Sequence, residues 1–319
     1  MGTSHSRIWT ITIPLSLPLL AFAYYRWRQR QLRKIEHYEQ IGQVTGLFIY
    51  PVKSCAGISL ETADCLTEGL QFDRYWVVVD RDDKFINSVE KPVLSRVIPH
   101  FEDDMLCLNA PGMADTLRVP LYLNTQEYKV LRVLRISSKS QYAGDEAAAW
   151  FSTLLDKPGC KLYQLNEPRD STQDTKWGDL AQPGDRVGYA SFAAYHMTTE
   201  SSLVAVNNIL PTPVGMDRFR ANVIIGGTEP FAEDNWSQKI LKIADVRFRT
   251  LKDCGRCVQT TIDPETGIKN GLEPLTTLRR TRLPPDRDPR HGNAPFFGIQ
   301  MAPDCEGIIK LGDPVFISC

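Results

Sequence analysis

The sequence predicts an α+β fold that is mainly β, with two β-rich, barrel-like domains behind a single N-terminal transmembrane helix. Three observations support this prediction. Short runs of β-branched and aromatic residues, bounded by turn residues, recur from residue 44 to the C-terminus. Helical patterns are few and do not alternate regularly with strand patterns. The first forty residues contain a long uncharged run that is followed by basic residues.

The uncharged run extends from Ile8 to Tyr25. Eighteen helical residues would span about 27 Å, close to the roughly 30 Å thickness of the hydrocarbon core of a bilayer. Five basic residues follow the run and only Arg7 precedes it, which favours an anchor with a cytosolic C-terminal side over a cleaved signal peptide. Because Ala21–Ala23 imitates a cleavage site, the signal-peptide alternative stays open. We therefore expect residues 1–39 to be a membrane anchor with a basic flank, in which residues 8–25 contact the lipid bilayer.

Residues 40–180 are predicted to form the first β-rich domain. Its strand candidates are Val44–Tyr50, Gly57–Leu66, Arg74–Asp80 and Tyr128–Ile136. Gly144–Asp156 is the clearest helix candidate, because an acidic first turn precedes apolar residues at helical spacing. Asn166–Arg186 is a long polar stretch, and such loops are usually functional or are linkers. We place the domain boundary within it, after residue 180.

Residues 181–319 are predicted to form the second domain. Thr198–Leu210 is typical of a helix with a capped N-terminus. The strand candidates are Phe219–Gly227, Asp245–Asp253 and the strand–turn–strand segment Gly307–Ser318. The basic, proline-rich segment Arg279–Pro295 predicts a loop.

Composition limits the classes of function. The net charge is −1, so no global field attracts nucleic acid, and no nucleic-acid partner is expected. Hydrophobic residues make up 42% of the chain, enough for a substantial core. The eight cysteines are scattered over 319 residues, unlike those of a disulfide scaffold. We expect most of them to be reduced, buried and apolar in behaviour.

Cys254 and Cys257 form the one close cysteine pair, in the segment KDCGRCVQTTIDPETG. A structural zinc site usually needs two such pairs, and a thioredoxin-like dithiol needs a helix directly after the pair, where this chain has β-branched residues. A cytosolic location disfavours a disulfide. Two interpretations remain open on the residues alone: core packing, or one thiolate ligand for a soft metal, with Arg256 favouring the thiolate of Cys257.

Five segments stand in a characteristic order along the chain. They are VTGLFIYPVKSCAG, FDRYWVVVD, FRANVII, CGRCVQTTIDPETG and the terminal GDPVFI. In this order they resemble the MOSC family of molybdenum-cofactor-binding proteins, and within it the membrane-anchored amidoxime reductases. The resemblance covers residues 40–319. It implies an N-terminal MOSC-type β-barrel domain followed by a C-terminal, β-barrel-like MOSC domain that binds the molybdenum cofactor (Mo-molybdopterin).

The resemblance also implies which residues form the site. The second cysteine of the family's C-x-R-C motif coordinates the metal, so Cys257 is the expected metal ligand and catalytic residue, with Cys254 as a bystander. The residues that match cofactor-binding positions are Lys53, Ser54, Arg74, Ser191, Arg220, Asn222 and Arg256. Lysine and arginine suit a cofactor whose phosphate has about two negative charges.

Some positions depart from the family pattern. Family members usually have an aspartate or threonine with Ser-Pro where this chain has ASFAAY, in which Ser191 is the only aliphatic hydroxyl. Val89 replaces a usual arginine, Ala221 a proline and Gly255 a serine. These departures predict a relative whose contacts with the cofactor are partly rebuilt.

The resemblance implies a reductase of N-hydroxylated compounds, such as amidoximes and hydroxylamines. The chain has no dinucleotide, haem or iron–sulfur motif, so electrons are expected from a partner, which in the family is cytochrome b5 with NADH-cytochrome b5 reductase. The expected location is the mitochondrial outer membrane, with the catalytic domain facing the cytosol. Asp263 and His291 are candidate proton donors on chemistry alone, and ordinary turn residues otherwise.

Two alternatives remain open. A MOSC-type module could carry or hand over the cofactor or its sulfur without reducing a substrate, and only turnover separates the two functions. A lumenal or secreted binding protein is the other alternative. Asn235 belongs to the only N-glycosylation sequon of the chain, so a glycan there would place the domain in the lumen.

Overall fold

The computed structural model describes residues 37–125, 127–269 and 271–319, in which strands greatly outnumber helices. The strands are, in chain order, β1 (Tyr38–Ile49), β2 (Ile58–Leu60), β3 (Thr62–Leu66), β4 (Gly69–Leu70), β5 (Trp76–Val79), β6 (Ile98–Glu102), β7 (Met105–Asn109), β8 (Leu117–Pro120), β9 (Lys129–Val133), β10 (Ile136–Tyr142), β11 (Lys161–Leu165), β12 (Arg169–Asp170), β13 (Arg186–Val187), β14 (Tyr195–Thr199), β15 (Val223–Gly226), β16 (Ile240–Ile243), β17 (Val246–Gly255), β18 (Phe296–Pro303), β19 (Gly307–Lys310) and β20 (Pro314–Ser318). The α-helices are α1 (Asp145–Leu154), α2 (Glu200–Asn207) and α3 (Leu275–Thr281). The prediction of a mainly β fold is confirmed.

Seven strands close into a barrel in the cyclic order β1–β15–β14–β18–β17–β16–β20. The β14–β15 pair is parallel, whereas β1–β15, β14–β18, β17–β18, β16–β17 and β16–β20 are antiparallel. Apolar side chains from all around the barrel fill one core, among them the fully buried Leu47, Val223 and Phe248. Six of these strands lie after residue 194, but β1 comes from the first predicted domain. A boundary after residue 180 stays a prediction.

Strand β2 pairs with β1 beside the barrel, and the remaining strands form open sheets in the described part of the chain. They are ordered β5–β11–β10–β9, β6–β7–β8, β19–β3–β4 and β12–β13. A second core, which includes the buried Trp76, Phe151 and Leu162, lies among the sheets of the N-terminal half and helix α1. Residues Gln40–Ile317 together form one compact unit, and the site described below lies within it.

Two helix predictions are confirmed and two strand predictions are wrong in detail. Helix α1 lies within Gly144–Asp156, and α2 begins after Thr199, whose side chain accepts a hydrogen bond from the backbone of Ser202 as an N-cap does. Gly57–Leu66, predicted as one strand, is instead β2 and β3, which belong to different sheets. Tyr128–Ile136, also predicted as one strand, is instead the hairpin β9–β10. Its turn has Leu134 in the left-handed region at φ 59°, a conformation that a leucine does not signal in the sequence.

The predicted membrane anchor, residues 8–25, lies outside the described residues. Within the described ranges, no helix is long and apolar enough to cross a membrane.

Candidate active site

A cleft of about 660 Å³ is strongly cationic. The lysines and arginines that line it are Lys53, Arg74, Arg135, Lys176, Arg218, Arg220, Lys252 and Arg256. Among the described residues, no aspartate or glutamate lines the cleft. A concave surface with eight cations and no lining carboxylate concentrates positive potential and favours an anionic ligand.

The structure brings all the sequence-predicted site residues to this one cleft. Those that line it are Lys53, Ser54, Arg74, Ser191, Arg220, Asn222, Arg256 and Cys257. They come from the loop after β1, the turn between β4 and β5, the segment before β14, the turn before β15 and the residues directly after β17. Their functional roles remain predictions, but their spatial convergence is a property of the fold.

Three of these residues have a left-handed backbone. The φ angles are 76° for Ser54, 55° for Arg74 and 54° for Arg220. A residue with a Cβ atom adopts this region only when the surrounding structure imposes it, and such residues cluster at ligand sites. Hydrogen bonds impose it at Arg74, whose N–H donates to the carbonyl of Tyr50 and whose carbonyl accepts from Tyr189.

Arg74 and Arg220 are held in different ways. The Arg74 guanidinium is paired with Asp73 at 2.5 Å and donates to the carbonyl of Arg220 at 3.1 Å. Arg220 donates to the carbonyl of Cys55 at 2.6 Å and lies over the ring of Tyr50, 4.1 Å from its centroid. Among the described residues Arg220 has no carboxylate partner, so its charge is available to a ligand.

Lys53 also lacks a carboxylate partner in the described chain. Its Nζ donates to the carbonyl of Tyr189 at 2.9 Å. Burial, together with the nearby charges of Arg169, Arg74 and Arg220, lowers the pKa of Lys53 to about 7. An anion bound beside Lys53 would stabilise its charged form.

Asn222 mainly forms hydrogen bonds within the protein. Its Oδ1 accepts from Arg74 at 3.3 Å and from the backbone of His196 at 3.2 Å, while its Nδ2 donates to the carbonyl of Phe48 at 3.1 Å. These bonds join the start of β15 to β14 and β1. One side-chain N–H of Asn222 remains for a ligand.

The two cysteines of the close pair differ sharply. Cys257 is exposed and precedes a short 3₁₀ turn, whereas Cys254 is buried. Arg256 donates to Cys254 Sγ at 3.0 Å, so the expectation that Arg256 acts on Cys257 is wrong. Burial raises the pKa of Cys254, but interactions with His196 and Arg256 outweigh it and hold that pKa at about 5. Cys254 is therefore a charged part of the cleft wall and not an inert core residue.

Two polar atoms of the cleft wall have no hydrogen-bond partner within the described residues. They are Gln300 Oε1, an acceptor, and Arg256 Nε, a donor. Buried polar atoms are normally satisfied, so an unpaired donor and an unpaired acceptor in one cleft indicate a ligand with both kinds of group. A pterin heterocycle has both kinds, so the wall fits the cofactor that the sequence implies.

Residues 190–193, which depart from the family pattern, are held by hydrogen bonds to their carbonyls and still have free N–H donors among the described residues. Arg169 donates to the carbonyls of Gly188 and Ala190, and Arg135 donates to that of Ser191. The backbone N–H groups of residues 190–193 make no hydrogen bond to any described residue. Together with the exposed Ser191, they can donate to an anion where family members use side chains.

Several residues that line the cleft were not predicted from the sequence. They are Arg135, Lys176, Trp177, His196, Lys252 and Gln300. No motif marks them, although the unusual length of the Asn166–Arg186 loop did indicate a functional segment. Of the two candidate proton donors, His291 lines the cleft and Asp263 does not. Asp263 is paired with Arg218 at 2.9 Å, and backbone N–H groups outweigh its partial burial and lower its pKa, so it is a turn carboxylate.

We expect sulfate binding to cofactor-free protein to weaken as the pH rises from 6 to 8.5. Sulfate keeps its charge over this range, whereas Lys53, with a pKa of about 7, loses its proton. Loss of a charge-assisted hydrogen bond should lower affinity roughly tenfold, measured by isothermal titration calorimetry. Lys53→Met should remove the part of this pH dependence near pH 7 and leave the part near pH 8 that comes from Lys252, whose pKa burial lowers to about 8. Lys310→Met, an exposed lysine outside the cleft, should preserve both parts. A flat wild-type profile would contradict the assignment.

Two family models match successive parts of the chain. The family model "MOSC N-terminal beta barrel domain" matches residues 41–158, and the model "MOSC domain" matches residues 184–316. The chain is 32% identical to mitochondrial amidoxime-reducing component 1 of Mus musculus, over 97% of this chain and 92% of that protein. It is 33% identical to mitochondrial amidoxime reducing component 2 of Rattus norvegicus, over 97% and 93%.

A solved structure with broad coverage is the YUAD protein from Bacillus subtilis. It covers 88% of this chain and 98% of its own, with 9% identity and a TM-score of 0.40.

Proposed function

This chain belongs to the MOSC-domain family, and from that premise we propose that it is a molybdenum-cofactor enzyme that reduces N-hydroxylated compounds such as amidoximes and hydroxylamines. The observation that supports this most is the cleft itself. It combines eight cations, no lining carboxylate and one exposed thiol, Cys257, on a single concave surface of the described chain. An anionic cofactor with a thiolate-bound metal matches each of these features.

Different side chains suit different parts of such a cofactor. Lys53 and Arg220, which lack carboxylate partners in the described chain, suit the phosphate. The unpaired atoms of Gln300 and Arg256 suit the donors and acceptors of the pterin. Cys257 is the proposed metal ligand because its thiol is exposed to the cleft and is not engaged by Arg256.

The proposed reaction balances with two electrons and two protons. An amidoxime takes up both, its N–O bond breaks, and an amidine and water are released. The bound cofactor supplies the oxygen-atom and electron-transfer chemistry. The protein itself would hold and orient the cofactor through cationic side chains that donate hydrogen bonds to backbone carbonyls. Cys257 stays accessible to an incoming substrate.

Electrons are proposed to come from NADH through NADH-cytochrome b5 reductase and cytochrome b5. The two relatives compared above are named mitochondrial, and we propose the mitochondrial outer membrane, with residues 8–25 as a single-pass anchor and the catalytic part facing the cytosol. Attachment of enzyme and electron donor to one membrane would raise their effective concentration.

The test is turnover by the purified full-length chain. We expect molybdenum near one atom per chain and conversion of benzamidoxime to benzamidine when NADH, cytochrome b5 and its reductase are supplied. Bound molybdopterin without amidine would identify a cofactor carrier and overturn the enzymatic proposal. Failure to bind molybdopterin, in protein produced with ample cofactor, would overturn both.

A further inference from the structure

The cleft is lined by a second cationic pair, Lys176 and Lys252. Lys53 interacts with the charges of Arg220 and Cys257, and this is the pair assigned above to the phosphate. Lys252 interacts instead with the charges of Lys176 and Cys254. The Lys176–Lys252 pair lies over the ring of Trp177, whereas Lys53 and Arg220 donate to the carbonyls of Tyr189 and Cys55.

Neither lysine of this pair is neutralised by an ion pair within the described residues. Lys252 Nζ donates only to the carbonyl of Asp253, at 3.0 Å, and the Asp253 carboxylate interacts with it without forming an ion pair. Neighbouring arginines differ in this respect. Arg135 is paired with the buried Asp174 at 2.8 Å, and Arg290 is paired with acidic residues of its own. The Lys176–Lys252 pair therefore keeps a net positive charge, although the charges of Cys254 and Asp253 offset part of that of Lys252.

An aromatic wall positions the pair. The Lys252 and Lys176 ammonium groups lie 4.5 Å and 5.4 Å from the ring centroid of the buried Trp177. The ring of His291 lies 4.7 Å from that of Trp177. A Cβ atom at Gly255 would lie 3.1 Å from His291 Nδ1, tighter than ordinary contacts, so the glycine allows this close approach. Gly255, one of the departures from the family pattern, thus leaves room for His291 beside Trp177.

Strand irregularity is the local reason that Lys252 lies here. The register of β17 against β18 shifts between Thr250 and Lys252 and again between Asp253 and Gly255. Bulges of this kind re-aim side chains and are frequent beside active sites. Burial, with the nearby charges of Arg135 and Lys176, lowers the pKa of Lys252 to about 8, and Cys254 and Asp253 oppose this, so most of it remains charged at pH 7.

A count of charges in the cleft indicates what kind of ligand the Lys176–Lys252 pair binds. A cofactor phosphate has about two negative charges, which Lys53 and Arg220 match. The Lys176–Lys252 pair is then left for a second anion that enters the cleft. We propose that Lys176 and Lys252 form a substrate subsite for a carboxylate, so that the preferred substrates are N-hydroxylated compounds with an anionic group. This inference rests on the proposed function for its reaction and deepens it by naming a substrate class.

The kinetic test compares benzamidoxime with its para-carboxylate analogue. Lys252→Gln and Lys176→Gln should each lower the ratio of kcat/KM for the carboxylated over the neutral substrate about tenfold, the change that 1.4 kcal/mol corresponds to. The loss should lie in KM, because the carboxylate is bound equally in the ground and transition states. Lys310→Gln, an exposed lysine outside the cleft, should leave the ratio unchanged.

A binding test separates this inference from the proposed function. Isothermal titration calorimetry measures the affinity of cofactor-loaded protein for 4-carboxybenzamidine and for benzamidine, whether or not the protein turns over amidoximes. A carboxylate preference that Lys252→Gln removes supports the subsite even if reduction is not observed. Equal affinity of the wild-type protein for both amidines overturns the subsite and leaves the proposed function standing. Loss of molybdenum from Lys252→Gln also overturns it, because the pair would then hold the cofactor.

Discussion

Replacement of Cys257 with alanine is expected to abolish amidoxime reduction and to deplete the protein of molybdenum. Among the residues that line the cleft, Cys257 is the one exposed cysteine, and its neighbour Arg256 is engaged elsewhere. Loss of a residue that merely supports a metal ligand typically costs 10- to 100-fold, so loss of the ligand itself should exceed about 100-fold in kcat/KM. Metal analysis and benzamidoxime turnover measure the two effects.

The matched variant is Cys254→Ser. Serine preserves a small polar group beside Arg256 and His196 but not the thiolate that their interactions favour. We expect this variant to retain molybdenum, with a moderate loss of activity. The reverse result, in which Cys254→Ser loses the metal and Cys257→Ala retains it, would show that the ligand assignment is wrong.

Replacement of the buried Arg169 with methionine should destabilise the protein by at least about 3 kcal/mol. Arg169 is 2% exposed, and its guanidinium donates to the carbonyls of Val133, Gly188 and Ala190. Methionine fills similar space but leaves these acceptors without their donor, and each unsatisfied buried group costs roughly 1–3 kcal/mol. Urea unfolding measures the loss, and Arg132→Met, an exposed arginine on β9, should change stability by less than about 0.5 kcal/mol.

The same variant should loosen the cleft wall. Two of the carbonyls that Arg169 holds belong to Gly188 and Ala190, just before and at the start of the segment 190–193 that lines the cleft. We expect Arg169→Met to lose sulfate affinity under conditions where it remains folded, and Arg132→Met to keep it. Unchanged sulfate affinity in folded Arg169→Met would mean that the wall is positioned by Lys53, Arg135 and the strand pairing of β14 without Arg169.

Predictions from the sequence were correct where a structural feature depends on a local residue pattern or on a motif. The mainly β character, helix α1 and the N-cap of α2 follow from patterns within a few residues. The motif segments, with Ser191 from the divergent segment 190–195, predicted the site residues that the fold gathers into one cleft. The chain composition and the scattered cysteines also predicted free, mostly buried thiols, and all eight cysteines are free in the structure.

Local patterns failed where the backbone or the partner of a side chain is set by distant contacts. The hairpin turn at Leu134 has no glycine or asparagine to signal its left-handed backbone. Arg256 was expected to act on Cys257, its neighbour in the sequence, but adjacency in the sequence does not give the direction of a side chain in space. The guanidinium in fact reaches Cys254 and the carbonyl of Phe219.

By itself, the sequence determined the β-rich class and the family motifs, because these depend on residue type and spacing along the chain. The choice of Cys257 as metal ligand came from the family resemblance and stays a prediction. Only the tertiary structure decided that β1 closes a barrel with strands from beyond residue 194, and that Lys252 is turned into the cleft by register shifts in β17. It also decided which cations keep a free charge. The physical reason is that burial and ion pairing are long-range properties of a folded surface, and the order of residues does not reveal which carboxylates will be near enough to neutralise a given lysine.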